Sequence, residues 1–499
     1  MIHGQGFSLC DTLPTITDFY RPFRVCREKK IDSGSIISKL LSMGKTFRAY
    51  DMSQLLLLPP DLRQWLRDDH LAFFVSDMVE QLDLCAIVNA YEEGRGRPPY
   101  HPQMMVKLLI YGYSVGKLWS RKIEQATYDD VAFRVLSGNQ QPDHASIAEF
   151  RKRHLKELAK LFVQVLQLCE RAGLVKLGHV AIDGTKIKAN ASKYQTMTYA
   201  GLTEAEQKLA AEVSRLLAEA ERVDEAEDEL YGPDKGSDEL PEELRQGESR
   251  LRRIRELKAD LEREAKEAAE QQATAAKQQN EERLREAEES GRKVRGRLAQ
   301  EVDPEQATPA PKARRSFTDI ESRMMKDHAS NTFVQGYNAQ VGVDGQAQII
   351  VAATIVQAGN DQKQLVPVLQ VVQQNLGRLP EKVSADAGYF STAAVTDETL
   401  RTVDLYVPPN ERPPQYQATL PEHATVQQQM WHKLQGEPGA AIYNQRKAIV
   451  EPVFAYLKHV RSFRQFLLRG LAQVEAEWLL MCLTHNVLKM FRAKQLQTV

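Results

Sequence analysis

Apolar positions change their period along the chain, and these changes separate segments of different predicted structure. Residues 43–175 show helix-like spacing, and the clearest helix begins at Ser146, where Ser146 and Glu149 form the S-x-x-E pattern of a capping box. Beyond Gly173 the period falls from about 3.6 to 2 in GHVAIDGTKIKANAS, which is typical of a strand. We therefore predict a helical domain over 43–175 and the start of a sheet over 176–200.

The predicted sheet is interrupted by a long polar segment. Residues 201–300 carry heptad-like apolar spacing in two runs, which the segment YGPDKGSDELPEEL separates. Heptad spacing predicts two helices that pack against each other as an antiparallel hairpin or against a second subunit, and we favour the hairpin. A linker with proline and basic residues, 301–314, then leads back to the sheet.

The second half of the chain returns to strand patterns. TFVQGYNAQVGVDGQAQIIVAATIV predicts a hairpin around Asp344 and Gly345, a helix is predicted over 361–375, and KVSADAG and VDLYVPP predict two short strands before helices that begin near residue 441. The order of elements predicts a mixed α/β fold. It is compatible with a ribonuclease H-like catalytic core over 176–200 and 315–495 that carries a helical insertion.

Composition excludes several classes of protein. The chain has 499 residues, 42% of them hydrophobic and 27% charged, and no apolar run approaches the roughly 18 residues of a membrane span. Its five cysteines show neither a disulfide framework nor a C-x-x-C pair, which favours a reducing cytoplasm. Residues 1–42 lack the pattern of a secretory signal and differ from the rest of the chain, so we interpret them as an unstructured or non-native extension.

Charge is unevenly distributed. The net charge is −1, but residues 201–300 hold 19 Lys/Arg and 27 Asp/Glu, whereas residues 441–499 hold nine Lys/Arg and three Asp/Glu. The overall balance therefore hides an acidic insertion, which is a poor DNA binder, and a basic C-terminal surface.

Three acidic residues are candidates for metal-dependent phosphoryl transfer. Asp183 lies in the first strand, Asp386 ends a later strand, and Glu451 lies in IVEPVFAYLK. Hard divalent ions prefer oxygen ligands, and about three acids must meet to hold paired ions. Each acid also has a simpler interpretation. Asp183 with Gly184 could form a hairpin turn, Asp386 could end a strand, and Glu451 before Pro452 could be a helix-entry acid.

Several blocks, in order, resemble DDE insertion-sequence transposases. AIDGTKIKANAS, GYNAQVGVDGQAQIIVAATIVQAGND, ADAGYFS and VEPVFAYLKHVRSFRQFLLRGL resemble the regions around the three acids of that family. FRAYDMSQLLLLPPDLRQWL, GRPPYHPQMMVKLLIYGY and NQQPDHASIAEFRKRH resemble its helical N-terminal domain. The resemblance extends from Met43 to the C-terminus and implies a bacterial, cytoplasmic enzyme that acts on DNA.

The resemblance implies a role for each matching residue. Asp183, Asp386 and Glu451 fall on the catalytic, metal-binding acids, and the expected cofactor is Mg²⁺ or Mn²⁺, as two ions. The family's Tyr, Arg and Lys around the Glu are matched only in part, at Tyr443, at Arg446 or Lys447, and at Lys458. Arg446 stands one residue too far from Glu451, so the basic role stays open between Arg446 and Lys447.

DNA is the expected partner, both as element ends and as target. Contacts with DNA phosphates are predicted for Lys458, Arg446 or Lys447, Arg461 and Arg464, and, in the N-terminal domain, for Arg151 and Arg153. The alternative for each is an ordinary solvated charge. A homodimer that pairs two element ends is implied by the resemblance.

The leading hypothesis is thus a transposase that cuts phosphodiester bonds at element ends and transfers the freed strand. One alternative is a decayed or repurposed copy that binds DNA without cutting it. Another is a coiled-coil scaffold, against which the acids on predicted strands and the basic C-terminus argue.

Overall fold

The computed structural model describes residues 47–498, except for 53–60, 92–97, 193–194, 232–241, 290–295, 301, 328–330, 411–419 and 421–422. The predicted N-terminal extension therefore lies outside the described residues. The described chain divides into two compact units. Residues up to Ile187 together with those from Asn338 onward form unit 1, and Lys188–Tyr337 forms unit 2.

Unit 1 is built around a mixed sheet. Its strands are β1 (His179–Lys188), β5 (Thr332–Asp344), β6 (Ile349–Val356), β7 (Lys382–Ala385) and β8 (Asp404–Tyr406), in the order β6-β5-β1-β7-β8. β1 pairs in parallel with β7, and β7 pairs in parallel with β8, whereas β5 and β6 form an antiparallel hairpin. The Gly345 N–H donates to the His179 carbonyl, so the end of β5 lies beside the start of β1.

Helices make up most of the rest of unit 1. They are α1 (Leu71–Glu80), α2 (Cys85–Asn89), α3 (Pro102–Ser114), α4 (Ser120–Asp129), α5 (Val131–Leu136), α6 (His144–Arg153), α7 (Leu155–Arg171), α10 (Leu365–Leu376), α11 (Thr392–Val395), α12 (Val426–Gln435), α13 (Gly439–Ala455) and α14 (Leu471–Thr498). A π-helical turn, Tyr456–Val460, follows α13. α14 packs against α3, α7 and β6, so it joins the N-terminal helices to the sheet.

The outer edge of β6 is closed by α14. The Asn486 side chain accepts the Ile350 N–H and donates to the Ile350 carbonyl, both at 2.8 Å. Trp478, which is fully buried, donates its indole N–H to the Gln340 carbonyl at 3.3 Å. Unpaired backbone groups at a strand edge can pair with other chains, and Asn486 satisfies those of Ile350.

Several sequence predictions are confirmed and others are wrong in detail. The hairpin of β5 and β6 is confirmed, although four residues, 345–348, separate the paired Asp344 and Ile349. The capping box at Ser146 is wrong, because α6 begins two residues earlier and Asp143 accepts the Ser146 N–H at 2.8 Å. The helix also breaks at His154, whose buried ring packs between Phe150 and Tyr91.

Unit 2 contains two long helices, α8 (Tyr199–Tyr231) and α9 (Glu242–Glu289). Glu206 of α8 pairs with Lys258 at 2.9 Å, and the buried Val213 packs on Leu251. Because residue numbers rise on one helix as they fall on the other, the helices run antiparallel, as predicted. The predicted break covers residues 231–244. The structure ends α8 at Tyr231 and begins α9 at Glu242, and residues 232–241 lie outside the described residues. Short strands complete unit 2: β2 (Thr196–Thr198), β3 (Arg314–Ser316) and β4 (Arg323–Asp327).

Candidate active site

The two aspartates predicted as catalytic lie side by side on neighbouring strands. In the parallel pairing of β1 with β7, Ile182 stands opposite Ala385. Asp183 and Asp386 are the next residue on each strand. Neighbouring strands are about 4.8 Å apart, so this register brings both carboxylates together at the carboxyl end of β7. Asp183 and Gly184 lie inside the continuous strand β1, and the hairpin-turn interpretation of this pair is wrong.

Local sequence holds Asp386 in place. It follows the last residue of β7 and caps the turn Ala387–Tyr389, where its Oδ1 accepts the Gly388 N–H at 3.0 Å. A Cβ atom at Gly388 would stand 3.1 Å from that same oxygen, so glycine leaves room for the carboxylate. On β1, Asp183 Oδ1 accepts the neighbouring Gly184 N–H at 2.8 Å.

The ionised forms of the Asp183 and Asp386 carboxylates are destabilised relative to their protonated forms. Burial, and next the charge of Asp386, raise the pKa of Asp183 to about 6, and a smaller contribution comes from Asp361. Burial also raises the pKa of Asp386, and Asp361 adds to that rise while Arg446 opposes it. Acids crowded in a partly desolvated place favour protonation or a bound cation. Perturbed carboxylates of this kind mark functional sites more often than ordinary surface positions.

Arg446 supplies positive charge to this pair from α13. Its Nη1 lies 3.4 Å from Asp183 Oδ2, and the residue is 8% exposed. Its guanidinium carbon is 5.9 Å from the centre of the Tyr443 ring. Among the described residues, the buried Arg446 Nε has no hydrogen-bond partner. Lys447 is exposed, so of the two basic candidates only Arg446 faces the aspartates.

Asp361 is a third acid beside the pair that the sequence interpretation missed. The apolar pattern predicts a helix that starts at this residue, but α10 begins at Leu365 and Asp361 lies in the preceding loop. Asn338 and Gln340, both fully buried on β5, donate to Asp361 Oδ1 at 2.6 and 2.7 Å. The sequence offered one signal for this network: the two amide side chains stand two residues apart in the buried part of the strand.

Glu451, the third predicted acid, lies on α13 with an exposed side chain. It follows Arg446 by five residues, which corresponds to about 140° around the helix axis, so the two side chains leave the helix in different directions. Among the described residues, no group of three His, Cys, Asp or Glu side chains is arranged to hold a metal ion. The structure therefore pairs Asp183 with Asp386 without completing the predicted set of three.

Lys458 lies beside β1, on the π-helical turn that follows α13. Its ammonium group donates to Thr185 Oγ1 and to the Lys186 carbonyl, the latter at 3.2 Å. These contacts place its charge two to three residues along the strand from Asp183. Arg464 is exposed and donates to the Lys458 carbonyl at 3.2 Å, so a second basic side chain lies next to Lys458.

Two of the predicted DNA contacts are buried. Arg461 is 2% exposed and donates to the Tyr113 carbonyl at 3.0 Å and to the Met481 carbonyl at 3.3 Å. Arg151 is 7% exposed and donates to the Tyr113 hydroxyl at 2.9 Å. A phosphate would have to displace these internal partners, so burial argues against both contacts. Arg153 is exposed, and its guanidinium lies 5.6 Å from the Tyr91 ring centre.

The aspartate pair suits a divalent cation by the chemistry of its donors. Mg²⁺ commonly takes only one or two protein carboxylates and fills its other positions with water and substrate oxygens. Asp183 and Asp386 provide two such groups, and a bound cation would favour their ionised forms against the burial that raises both pKa values. The described residues thus fit a single ion at this pair.

In the part of the chain that the structure describes, no helix combines the length and the hydropathy of a membrane span.

Two family models match parts of the chain: a transposase domain (DUF772) over residues 60–153 and a transposase DDE domain over residues 411–491. The second match contains Arg446, Glu451 and Lys458. No curated protein and no solved structure matches the chain.

Proposed function

We propose that this chain, which matches transposase family models at both ends of its described length, acts as a DDE-type insertion-sequence transposase. It would cut phosphodiester bonds at the ends of its element and join the freed 3′-hydroxyl to target DNA. The observation that carries the proposal is the register of β1 and β7, which sets Asp183 beside Asp386. Enzymes of this family generally use divalent metal ions, and we propose Mg²⁺ or Mn²⁺ at this pair.

The proposed catalytic domain is ribonuclease H-like. Its support is the strand order β6-β5-β1-β7-β8, with β1, β7 and β8 parallel and the β5–β6 hairpin beside β1. In a sheet of this kind, ligands are expected at the carboxyl ends of the parallel strands. Asp386 follows the last residue of β7 and so lies at such an end.

Each residue of the site has a proposed task. Asp183 and Asp386 hold the metal ion, which when bound stabilises charge on phosphoryl oxygens and favours ionisation of the attacking hydroxyl. Arg446 restrains the Asp183 carboxylate and adds positive charge beside the pair. Its Nε is buried without a hydrogen-bond partner and would donate to a phosphate only if DNA binding opens the site. Lys458 binds a phosphate near the cleaved bond and so fixes the DNA end.

Glu451, Arg464, Lys447 and Arg153 keep their predicted roles as proposals. Glu451 would complete the acidic set only in the DNA complex, since it is exposed on α13 without DNA. Arg464, Lys447 and Arg153 are exposed, so a DNA phosphate can reach them. The buried Arg151 and Arg461 are left out of the proposed contacts. Two copies of the chain would be needed to pair two element ends.

The test is metal-dependent cleavage of the DNA that flanks the protein's own gene. The purified chain, Asp183→Asn and Asp404→Asn are incubated with that DNA in Mg²⁺, Mn²⁺ or EDTA, and nicks are mapped at nucleotide resolution. Asp404 is the matched control, because it begins β8 at the opposite end of the parallel strands. We expect discrete cuts for the parent and Asp404→Asn in metal, and none for Asp183→Asn or in EDTA.

Two other outcomes would change the proposal. Specific binding of the flanking DNA without cuts in either metal would indicate a protein that only binds DNA. Equal cutting by Asp183→Asn and the parent would remove Asp183 from the proposed site.

A further inference from the structure

Asp361 lies at the centre of a buried polar network between β5 and β1. Its Oδ1 accepts the Asn338 amide at 2.6 Å and the Gln340 amide at 2.7 Å, and Lys186 Nζ approaches it to 3.5 Å. The side chains of Lys186 and Asp361 are 9% and 21% exposed. Hydrogen bonds to a charged acceptor in such a place are stronger than those between neutral groups.

The carboxylate of Asp361 determines which way the Gln340 amide points. A carboxylate only accepts hydrogen bonds, so the NH₂ of Gln340 must face it and the Gln340 Oε1 must face the other way. There Gln340 Oε1 accepts the hydroxyl of Tyr389, which is fully buried. Tyr389 belongs to the turn that Asp386 caps, and its backbone N–H donates to the Asp386 carbonyl at 3.2 Å. Asp361 is therefore connected through Gln340 to the turn that carries Asp386.

The same network lies directly against β1 beside Asp183. A Cβ atom at Gly184 would overlap Gln340 Nε2 and would stand 3.0 Å from Asp361 Oδ1. Glycine therefore permits the close approach of the network to β1. The position that a Cβ would take at Gly388 lies 4.0 Å from Asp361 Oδ2. One side chain thus lies close to the residue after Asp183 and to the turn after Asp386.

We propose that Asp361 is a positioning residue, which holds the turn 387–389 through Gln340 and Tyr389 and thereby sets Asp386 beside Asp183. This inference rests on the proposed function for its meaning in catalysis, but the structural link can be tested without any activity. Asp361 acts through its neighbours and need not touch DNA or metal.

Hydrogen exchange of the full-length protein tests the link. We expect Asp361→Ala to raise amide exchange in residues 386–391 at least tenfold. Asp361→Asn should keep exchange within about threefold of the parent, because an amide oxygen can still accept the Gln340 N–H. Asp344→Ala is the matched control. It removes a buried carboxylate that accepts the Leu177 N–H at 2.7 Å and the Gln346 N–H at 2.8 Å at the far end of β5, and it should leave 386–391 unchanged.

Unchanged exchange in residues 386–391 of Asp361→Ala would overturn the proposal, as would an equal rise in Asp344→Ala. If Asp361→Ala does not fold, Gly184→Ala displaces the same network from the β1 side and should raise the same exchange, and no rise there would also overturn it. In the cleavage assay, we expect Asp361→Ala to slow nicking at saturating DNA at least tenfold with unchanged DNA affinity. A parent that cuts no DNA would contradict the proposed function, while the exchange data would still decide the role of Asp361.

Discussion

The Arg446 guanidinium lies 3.4 Å from the Asp183 carboxylate and so links α13 to the central strand β1. Arg446 lowers the pKa values of Asp183 and Asp386, against the larger effect of burial. It is also the basic residue of α13 that is buried beside these acids, since Lys447 next to it is exposed. The geometry supports one task, to favour the ionised forms of the two acids, and phosphate binding is the second task that we propose for it.

Replacement of Arg446 by Gln should therefore slow nicking and shift its pH dependence. The loss of a donor to a charged oxygen typically costs roughly 10²–10³ in rate. Removing a positive charge raises the pKa of Asp183 further above about 6. Since the ionised acid binds metal, the acidic limb of the nicking rate should move to higher pH at subsaturating Mg²⁺. Lys447→Gln is the matched control, and the same shift in both variants would contradict the assignment.

Without metal, the ionised Asp183 carboxylate should lower the free energy of unfolding of the protein. Its folded pKa of about 6 lies above the ordinary value of 3.8. The stabilisation from its protonated form is complete below pH 3.8 and is lost as pH rises through about 6. Asp183→Asn should thus raise the free energy of unfolding in EDTA by about 1 to 3 kcal/mol at pH 8, with a smaller gain at pH 5.

Asp404→Asn gives the opposite expectation for the same measurement. Partial burial alone would raise the pKa of Asp404, but bonds from Lys433 and Tyr406 lower it overall. Its stabilisation is present above pH 3.8 and is lost as pH falls through its lowered folded pKa, so the Asn variant should be less stable at pH 8. Urea unfolding at both pH values measures the two effects. If Asp183→Asn instead lowers the free energy of unfolding at pH 8, the ionised Asp183 carboxylate does not destabilise the folded protein.

Periodicity predicted those elements that local sequence determines. The hairpin of β5 and β6, the antiparallel helices α8 and α9, and the strand around Asp183 all follow from the spacing of apolar residues. The pairing of Asp183 with Asp386 could be suspected only from the family resemblance, because it depends on a parallel register between strands about 200 residues apart.

Other features could not be predicted because tertiary packing decides them. Gly184 looked like a turn residue, yet it makes room within a strand for Gln340 and Asp361. Arg461 looked like a surface charge within a basic run, yet its side chain is held by carbonyl groups of α3 and α14. Charge and composition do not show on which side of a helix or turn a basic residue is buried.

Arg461 and Arg464 should therefore behave differently although they are three residues apart. Removing the Arg461 side chain takes hydrogen-bond donors from the Tyr113 and Met481 carbonyl groups and leaves a cavity where the fully buried side chain packs. Arg461→Ala should reduce the free energy of unfolding by about 3 kcal/mol or more, as expected when a buried charged network is broken. Arg464→Ala should change stability by less than about 0.5 kcal/mol.

DNA binding should separate the same two arginines. If exposed Arg464 contacts a phosphate, Arg464→Ala should reduce the slope of log affinity against log salt by about 0.9. Binding to the element end at several salt concentrations measures this slope. An unchanged slope would assign Arg464 to ordinary solvated charge, and a folded, stable Arg461→Ala would contradict its structural role.

Glu451 is the strongest test of the family assignment, because the structure leaves it exposed on α13 away from a complete acidic set. A residue that is exposed in the free protein contributes little to folding, so Glu451→Gln should change the free energy of unfolding by less than about 0.5 kcal/mol. If DNA binding brings Glu451 to the aspartate pair, the same variant should lose nicking by about 100-fold or more while it binds the element end normally. The exposed Glu398→Gln serves as the control and should nick like the parent. Normal nicking by Glu451→Gln would show that the reaction does not require Glu451 as a third acid.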